Sequence, residues 1–302
     1  MKKEFLTVTC EDVKSCFPKL PDRANKGSLG RVLMVCGSYD PRGVSMCGAA
    51  YFSTSAAYRS GAGIVEIFTP RENYPALASL VPEAVFSLYG YDEDVNEVSY
   101  RLIESLKKSD AVVIGCGLGK SAFAKGLLKT VFLSVNVPLL IDADGLNILS
   151  EDDSLWALLS EEQRKRTVVT PHPGEMSRLC QTSVVKILED IPSFASDFAK
   201  QKGIVCLLKD HNTAISDGNS TYINQTGNAG MATAGMGDIL AGIIGAIIAR
   251  KGVEGDFLAD VATGAHVHGL AGDIAADKVG EYSLISSDLL PEISGAIEKY
   301  FE

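Results

Sequence analysis

The segment Asn224-Gln225-Thr226-Gly227-Asn228-Ala229-Gly230-Met231-Ala232-Thr233-Ala234-Gly235-Met236-Gly237-Asp238 runs without a break into the apolar stretch Ile239-Leu240-Ala241-Gly242, which reads as a buried helix. Its glycines let the backbone close around an anion, and the helix start adds unpaired N–H groups and partial positive charge. A carboxylate at that place repels phosphate. Asp238 therefore either caps the helix or acts as base on a hydroxyl about to receive a phosphoryl group, and the loop alone leaves both open.

Upstream of this loop, short apolar runs alternate with longer segments of helical period. Strands are predicted at residues 31–36, 64–69, 111–115, 139–142, 167–170 and 204–209, with crossover helices at 46–60, 98–107, 122–133 and 191–201. Repeated strand-helix-strand units imply an α/β fold with a largely parallel central sheet and helices on both faces. Runs at 213–217 and 221–224, on either side of Gly218-Asn219-Ser220, read as a short edge hairpin. Downstream of Gly235 the chain reads as helices at 239–250, 257–276 and 288–299. No repeat, low-complexity tract or linker divides it, so residues 1–302 are expected to form a single domain. Ligands of such sheets lie at the carboxyl ends of the strands, so a motif gains weight when it follows one.

Several do. Thr170-Pro171-His172-Pro173-Gly174-Glu175 ends one strand and opens a helix, and a histidine fixed between two prolines projects toward a ligand. Asp142-Ala143-Asp144-Gly145-Leu146-Asn147 places two carboxylates and an amide at the same rim, a set able to orient a hydrated magnesium ion beside a nucleotide, with helix capping the alternative for Asp144. Gly115-Cys116-Gly117-Leu118-Gly119-Lys120-Ser121 has one residue too few for a Walker A loop and a lysine where a dinucleotide fingerprint needs its third glycine. It implies only that the backbone approaches a ligand or a packed helix closely. In Lys209-Asp210-His211-Asn212-Thr213, Lys209 could reach a phosphate and Thr213 could bond to one. The small residues around Ala49 suit contact with a flat ligand or with a neighbouring helix. His266 and His268, two apart on a helix, point to different faces and read as structural rather than as a metal pair.

The 302 residues carry 28 Lys and Arg against 38 Asp and Glu, a formal charge of −10, with 46% hydrophobic residues. That is ample for a buried core, and it argues against a nucleic-acid partner, which requires a basic face. Seven scattered cysteines without Cys-x-x-Cys spacing read as reduced thiols of a cytoplasmic protein. The first residues, Met1-Lys2-Lys3-Glu4-Phe5, do not read as a secretory signal, and the apolar run at 239–248 is too short to span a membrane.

Taken in order, the Lys26-Gly27-Ser28-Leu29-Gly30 segment, Ala49, the 115–119 loop, the Asp142 and Thr170 motifs and Gly235-Met236-Gly237-Asp238 resemble the NAD(P)H-hydrate dehydratase family, carbohydrate-kinase-related proteins. The resemblance implies a ribokinase-like fold in the stand-alone form, without an epimerase domain. It implies a lyase that returns hydrated NADH or NADPH to NAD(P)H while consuming ADP or ATP with magnesium. It further implies that Ala49, Gly117, His172 and Asp238 contact the hydrate. Lys209, Asp210, His211, Asn212, Thr213, Gly235 and Gly237 would contact the adenine nucleotide, and Asp238 would be the catalytic base. No metal bound by the protein's own side chains is expected, and the assembly is expected to be a homo-oligomer. The chain departs from the family at Cys116, commonly proline, at Asp210, commonly glycine, and at Met236, commonly a small hydroxyl residue. The alternative is a small-molecule kinase of the same superfamily, acting on a vitamin-precursor alcohol.

Overall fold

The computed structural model describes residues 5–40, 42–252 and 255–301, so Met1 to Glu4, part of the N-terminal reading above, lie outside it. In chain order the strands are β1 (Arg31–Val35), β2 (Tyr39–Asp40), β3 (Val44–Ser45), β4 (Ile64–Pro70), β5 (Val85–Tyr89), β6 (Ala111–Ile114), β7 (Leu139–Ile141), β8 (Thr167–Val169), β9 (Val205–Leu208), β10 (Thr213–Ser216) and β11 (Thr221–Asn224). All but β2 and β3 join one nine-stranded sheet, ordered β11-β10-β9-β8-β7-β6-β1-β4-β5. Pairing is parallel from β5 through β9, and β10 and β11 close one edge as the expected antiparallel hairpin.

Parallel strands covered on both faces bury every side chain, and their alternate residues feed two separate cores. Leu33, Val35, Val112, Ile114, Leu139 and Ile141 pack into one apolar cluster. Their neighbours Val32, Met34, Ala111, Val113 and Leu140 pack into the other, under the helices Cys47–Arg59 and Met236–Lys251. This is why the strands read as unbroken apolar runs. The segment Val85–Tyr89 gave no such run, because an edge strand is only half covered, and the structure adds it as a ninth strand.

Helix boundaries moved where backbone chemistry overrides apolar period. The glycine-loop helix begins at Met236, three residues before the apolar run, because Gly235 makes the turn that starts it. The helix predicted at 288–299 is two short ones, Ser286–Leu289 and Glu292–Glu298, with Pro291 between them. The chain lays down β1, then β4 and β5 on one side, and returns with β6 on the other. The carboxyl ends of β1 and β6 therefore bound a crevice of the kind in which open α/β sheets bind ligands.

Candidate functional site

Three adjacent parallel strands deliver their next residues to one rim: Asp142 follows β7, His172 lies just past β8, and Lys209 follows β9. The Lys209 ammonium is 3.0 Å from Asp142 Oδ1. The pair is largely withdrawn from water, with side-chain exposures of 23% and 3%. Burial works against the charge on Lys209, but Asp142 and then Glu175 outweigh it and its pKa is raised. The Lys209 amide donates to the Pro171 carbonyl at 2.9 Å, tying the lysine to the turn that carries His172.

His172 fixes the turn that carries it. It is the N-cap of the helix Pro173–Leu179: its Nδ1 accepts the Gly174 amide at 3.0 Å, and its own amide donates to Glu175 Oε2 at 2.8 Å. With Nδ1 engaged as acceptor, the proton of the neutral ring belongs on Nε2, on a side chain 52% exposed. Burial and then the Lys209 charge lower the His172 pKa, so the ring is neutral at physiological pH. Burial lifts the Glu175 carboxyl to about 7.

Asp238 lies in the first turn of the helix Met236–Lys251 and does not cap it, since Gly235 is the N-cap and no side chain bonds there. Gly235 has φ +94°, and a Cβ on it would lie 2.8 Å from Ser286 Oγ and 2.9 Å from Phe52 Cδ2, so both conformation and space demand glycine. A Cβ on Gly237 would stand 3.5 Å from Lys209 Nζ and 3.6 Å from Asp142 Oδ2. The open helix start thus lies directly against the buried ion pair. Burial, and after it the charge of Asp142, raises the Asp238 carboxyl to about 6, against the opposing pull of the Cys116 thiol and Lys209. A carboxyl poised there can take a proton near neutral pH.

The Asp142 motif divides its labour. Ala143 holds φ at 48°, a strained value for a residue with a Cβ, between the two aspartates. Asp144 does not cap its helix either, because Oδ2 accepts the Gly119 amide at 2.8 Å and fastens the glycine loop of residues 115–119. Among the described residues no three His, Cys, Asp or Glu side chains gather into a metal site. With Asp142 facing an ammonium and Asp144 an amide, these donors fit a hydrated magnesium ion carried in on phosphates rather than a cage of protein ligands.

Asp142, His172, Lys209, Thr213, Gly237 and Asp238 line one cavity of about 990 Å³. Asp210, His211 and Gly235 also line it, whereas Asn212, Ala49 and Gly117 do not. A Cβ on Gly117 would come within 2.8 Å of that of Ala49, which places both in the crevice between β1 and β6. Of the departures noted in the sequence, Asp210 needs no glycine, since it has no positive φ and Thr213 Oγ1 donates to its carbonyl at 2.9 Å. Met236 is 5% exposed and belongs to the buried cluster with Ile239, Leu284 and Leu289, and it also lines the cavity. The Lys26-Gly27-Ser28-Leu29-Gly30 segment lies at the amino end of β1, where a Cβ on Gly63 would be 1.9 Å from the Lys26 carbonyl oxygen. It is packing, remote from the site.

His268, which the sequence reads as structural, lines the cavity with Ala265 and Gly269. The signal was present in the small residues flanking it one turn apart, which open a stripe on the helix Phe257–Val279.

A profile of the family described as NAD(P)H-hydrate dehydratase matches residues 32–294. The chain is 38% identical to a bifunctional NAD(P)H-hydrate repair enzyme of Coxiella burnetii, over 93% of its own length and 53% of that protein's. It is 32% identical to an ADP-dependent (S)-NAD(P)H-hydrate dehydratase of Neisseria meningitidis, over 91% of this chain and 87% of the relative. It thus spans about half the length of the bifunctional relatives it matches. Among solved structures it is similar to a ribokinase-like superfamily protein of Enterococcus faecalis, with a TM-score of 0.80 at 26% identity over 99% of both chains. The sheet order and these neighbours make the fold ribokinase-like.

Proposed function

Because the chain belongs to the NAD(P)H-hydrate dehydratase family, we propose that it dehydrates hydrated NADH and NADPH at the expense of ADP or ATP. The observation that carries this reading is Asp238, a carboxyl raised to about 6 at an open helix start and sharing one cavity with His172 and Lys209. Asp238 takes the proton from the hydroxyl of the hydrated ring as its oxygen attacks the terminal phosphorus of the nucleotide. With ADP the bond to the bridging oxygen breaks and AMP leaves. The Gly235 to Gly237 amides and Lys209 offset the charge on the moving phosphoryl group. A magnesium ion carried in on the nucleotide, beside Asp142 and Asp144, would supply further charge compensation. The ring nitrogen then expels inorganic phosphate, a far better leaving group than hydroxide, and loss of the adjacent proton restores the double bond. His172 offers Nε2–H to the hydrate, with Ala49 and Gly117 beside the ring and the Lys209 to Thr213 turn around the phosphates.

The test is incubation of the protein with hydrated NADH and ADP or ATP. Return of NADH absorbance with release of inorganic phosphate is the expected result. A stable phosphorylated product would instead make the protein a small-molecule kinase, and an inert mixture would remove both readings.

A further inference from the structure

The glycine loop is backed by a segment from the end of the chain. Residues 281–289, which follow the helix Phe257–Val279, pack behind it: a Cβ on Gly230 would fall 2.5 Å from the Glu281 carbonyl oxygen, and Leu284 and Leu289 share a buried cluster with Met236 and Ile239. Between those two leucines in the chain stands Ser286. Its Oγ donates to the Ala234 carbonyl at 2.6 Å, and the residue is only 3% exposed. Ala234 and Gly235 line the cavity whereas Ser286 does not, so the serine holds the loop from the protein side.

The serine is itself fixed in place. It opens the short helix Ser286–Leu289, where the Ile285 amide donates to Asp288 Oδ2 at 3.1 Å and the Asp288 amide to the Ile285 carbonyl at 2.9 Å. A planar trans peptide points its carbonyl and its N–H in opposite directions. With the Ala234 oxygen drawn back to the serine, the N–H of the same peptide, that of Gly235, is turned toward the cavity. That amide has no backbone acceptor among the described residues. It joins the amides of the helix start that follows as a donor to an anion. A peptide next to glycine flips at little cost, because glycine accepts either hand of φ. Flipped, it would face a phosphate with its carbonyl oxygen, which repels it. The bond from Ser286 opposes that flip.

We propose that Ser286 is a positioning residue of the anion site, holding the Ala234 carbonyl so that the Gly235 N–H meets the terminal phosphate of ADP. This rests on the nucleotide use proposed above.

Calorimetric titration of the wild type, Ser286→Ala and Ser286→Cys with ADP and with AMP, which lacks the terminal phosphate, tests it. The wild type should bind ADP more tightly than AMP. Ser286→Ala should lose about tenfold in ADP affinity while its AMP affinity stays within about twofold, and Ser286→Cys, which keeps a weaker donor, should recover part of the loss. A general loosening of the fold would weaken both nucleotides alike, and that result overturns the proposal. So does a folded Ser286→Ala protein that binds ADP within about twofold of the wild type. Should the alanine variant not fold, Ser286→Cys carries the test: a loss of about threefold for ADP alone is expected, and unchanged ADP affinity overturns the proposal. A wild type that binds ADP no more tightly than AMP overturns it without any variant, and one that binds no ADP at all overturns the functional reading itself.

Discussion

At Asp238 the burial that suits a base also costs stability. An unfolded aspartate titrates near 4 and this one near 6, so the fold favours its protonated form. That contribution is fully present below about pH 4 and is lost as pH rises through 6. Replacing Asp238 by Asn should therefore stabilise the fold at pH 7 to 8 by on the order of 1–3 kcal/mol, read as a higher melting temperature, and give no gain near pH 4. A melting curve equally changed at both pH values would refute the linkage. Activity moves the opposite way: kcat/KM of the wild type should climb through about pH 6 as the carboxylate forms. Asp238→Ala should lower kcat at least about a hundredfold with nucleotide affinity largely kept, which steady-state kinetics and calorimetry together read. His172→Ala should chiefly raise KM for the hydrate, and an unchanged KM would remove His172 from the binding site.

Among the elements, the start of the Met236–Lys251 helix carries the function and depends on glycine for its shape. Gly235 supplies the left-handed turn that exposes the amides of Met236, Gly237 and Asp238, with Phe52 and Ser286 closing the space a side chain would need. Gly235→Ala should cost about 1–3 kcal/mol in stability and weaken ADP binding, because the helix start must shift to relieve the contact. Calorimetry and thermal unfolding measure the two effects, and a variant with unaltered ADP affinity would show that the loop does not form the anion site. Two other elements hold this start in register. The Asp142 turn underlies Gly237 through Lys209, and Asp144 binds the Gly119 amide.

Over the whole molecule, the helix ends opposite the site are joined by one guanidinium. Arg250, in the last turn of the glycine-loop helix, donates to the Cys16 carbonyl at 2.6 Å and to the Ser60 carbonyl, and lies 5.3 Å from the centre of the Phe17 ring. Cys16 and Ser60 end the helices Cys10–Cys16 and Cys47–Arg59, so a single cation answers the partial negative charge of several helix ends. Arg250→Met should cost about 2–4 kcal/mol by leaving those carbonyls unpaired, with kcat unchanged because the site lies at the far end of the helix. A stable variant with impaired turnover would reverse that assignment. No helix among the described residues is long and apolar enough to cross a membrane.

The strands that became β1, β4 and β6 to β9 were legible because parallel strands are covered on both faces and so show as continuous apolar runs. The glycine loop, Asp142, His172 and Lys209 were legible because each follows a strand or opens a helix, where backbone groups are free to meet a ligand. Chain order alone could not pair Lys209 with Asp142, reveal that Gly237 lies over that pair, or turn His268 into the cavity. Those facts depend on contacts between segments dozens of residues apart. The ionisation of Asp238 belongs with them, since its carboxyl titrates near 6 only after folding has removed water and brought Asp142 close.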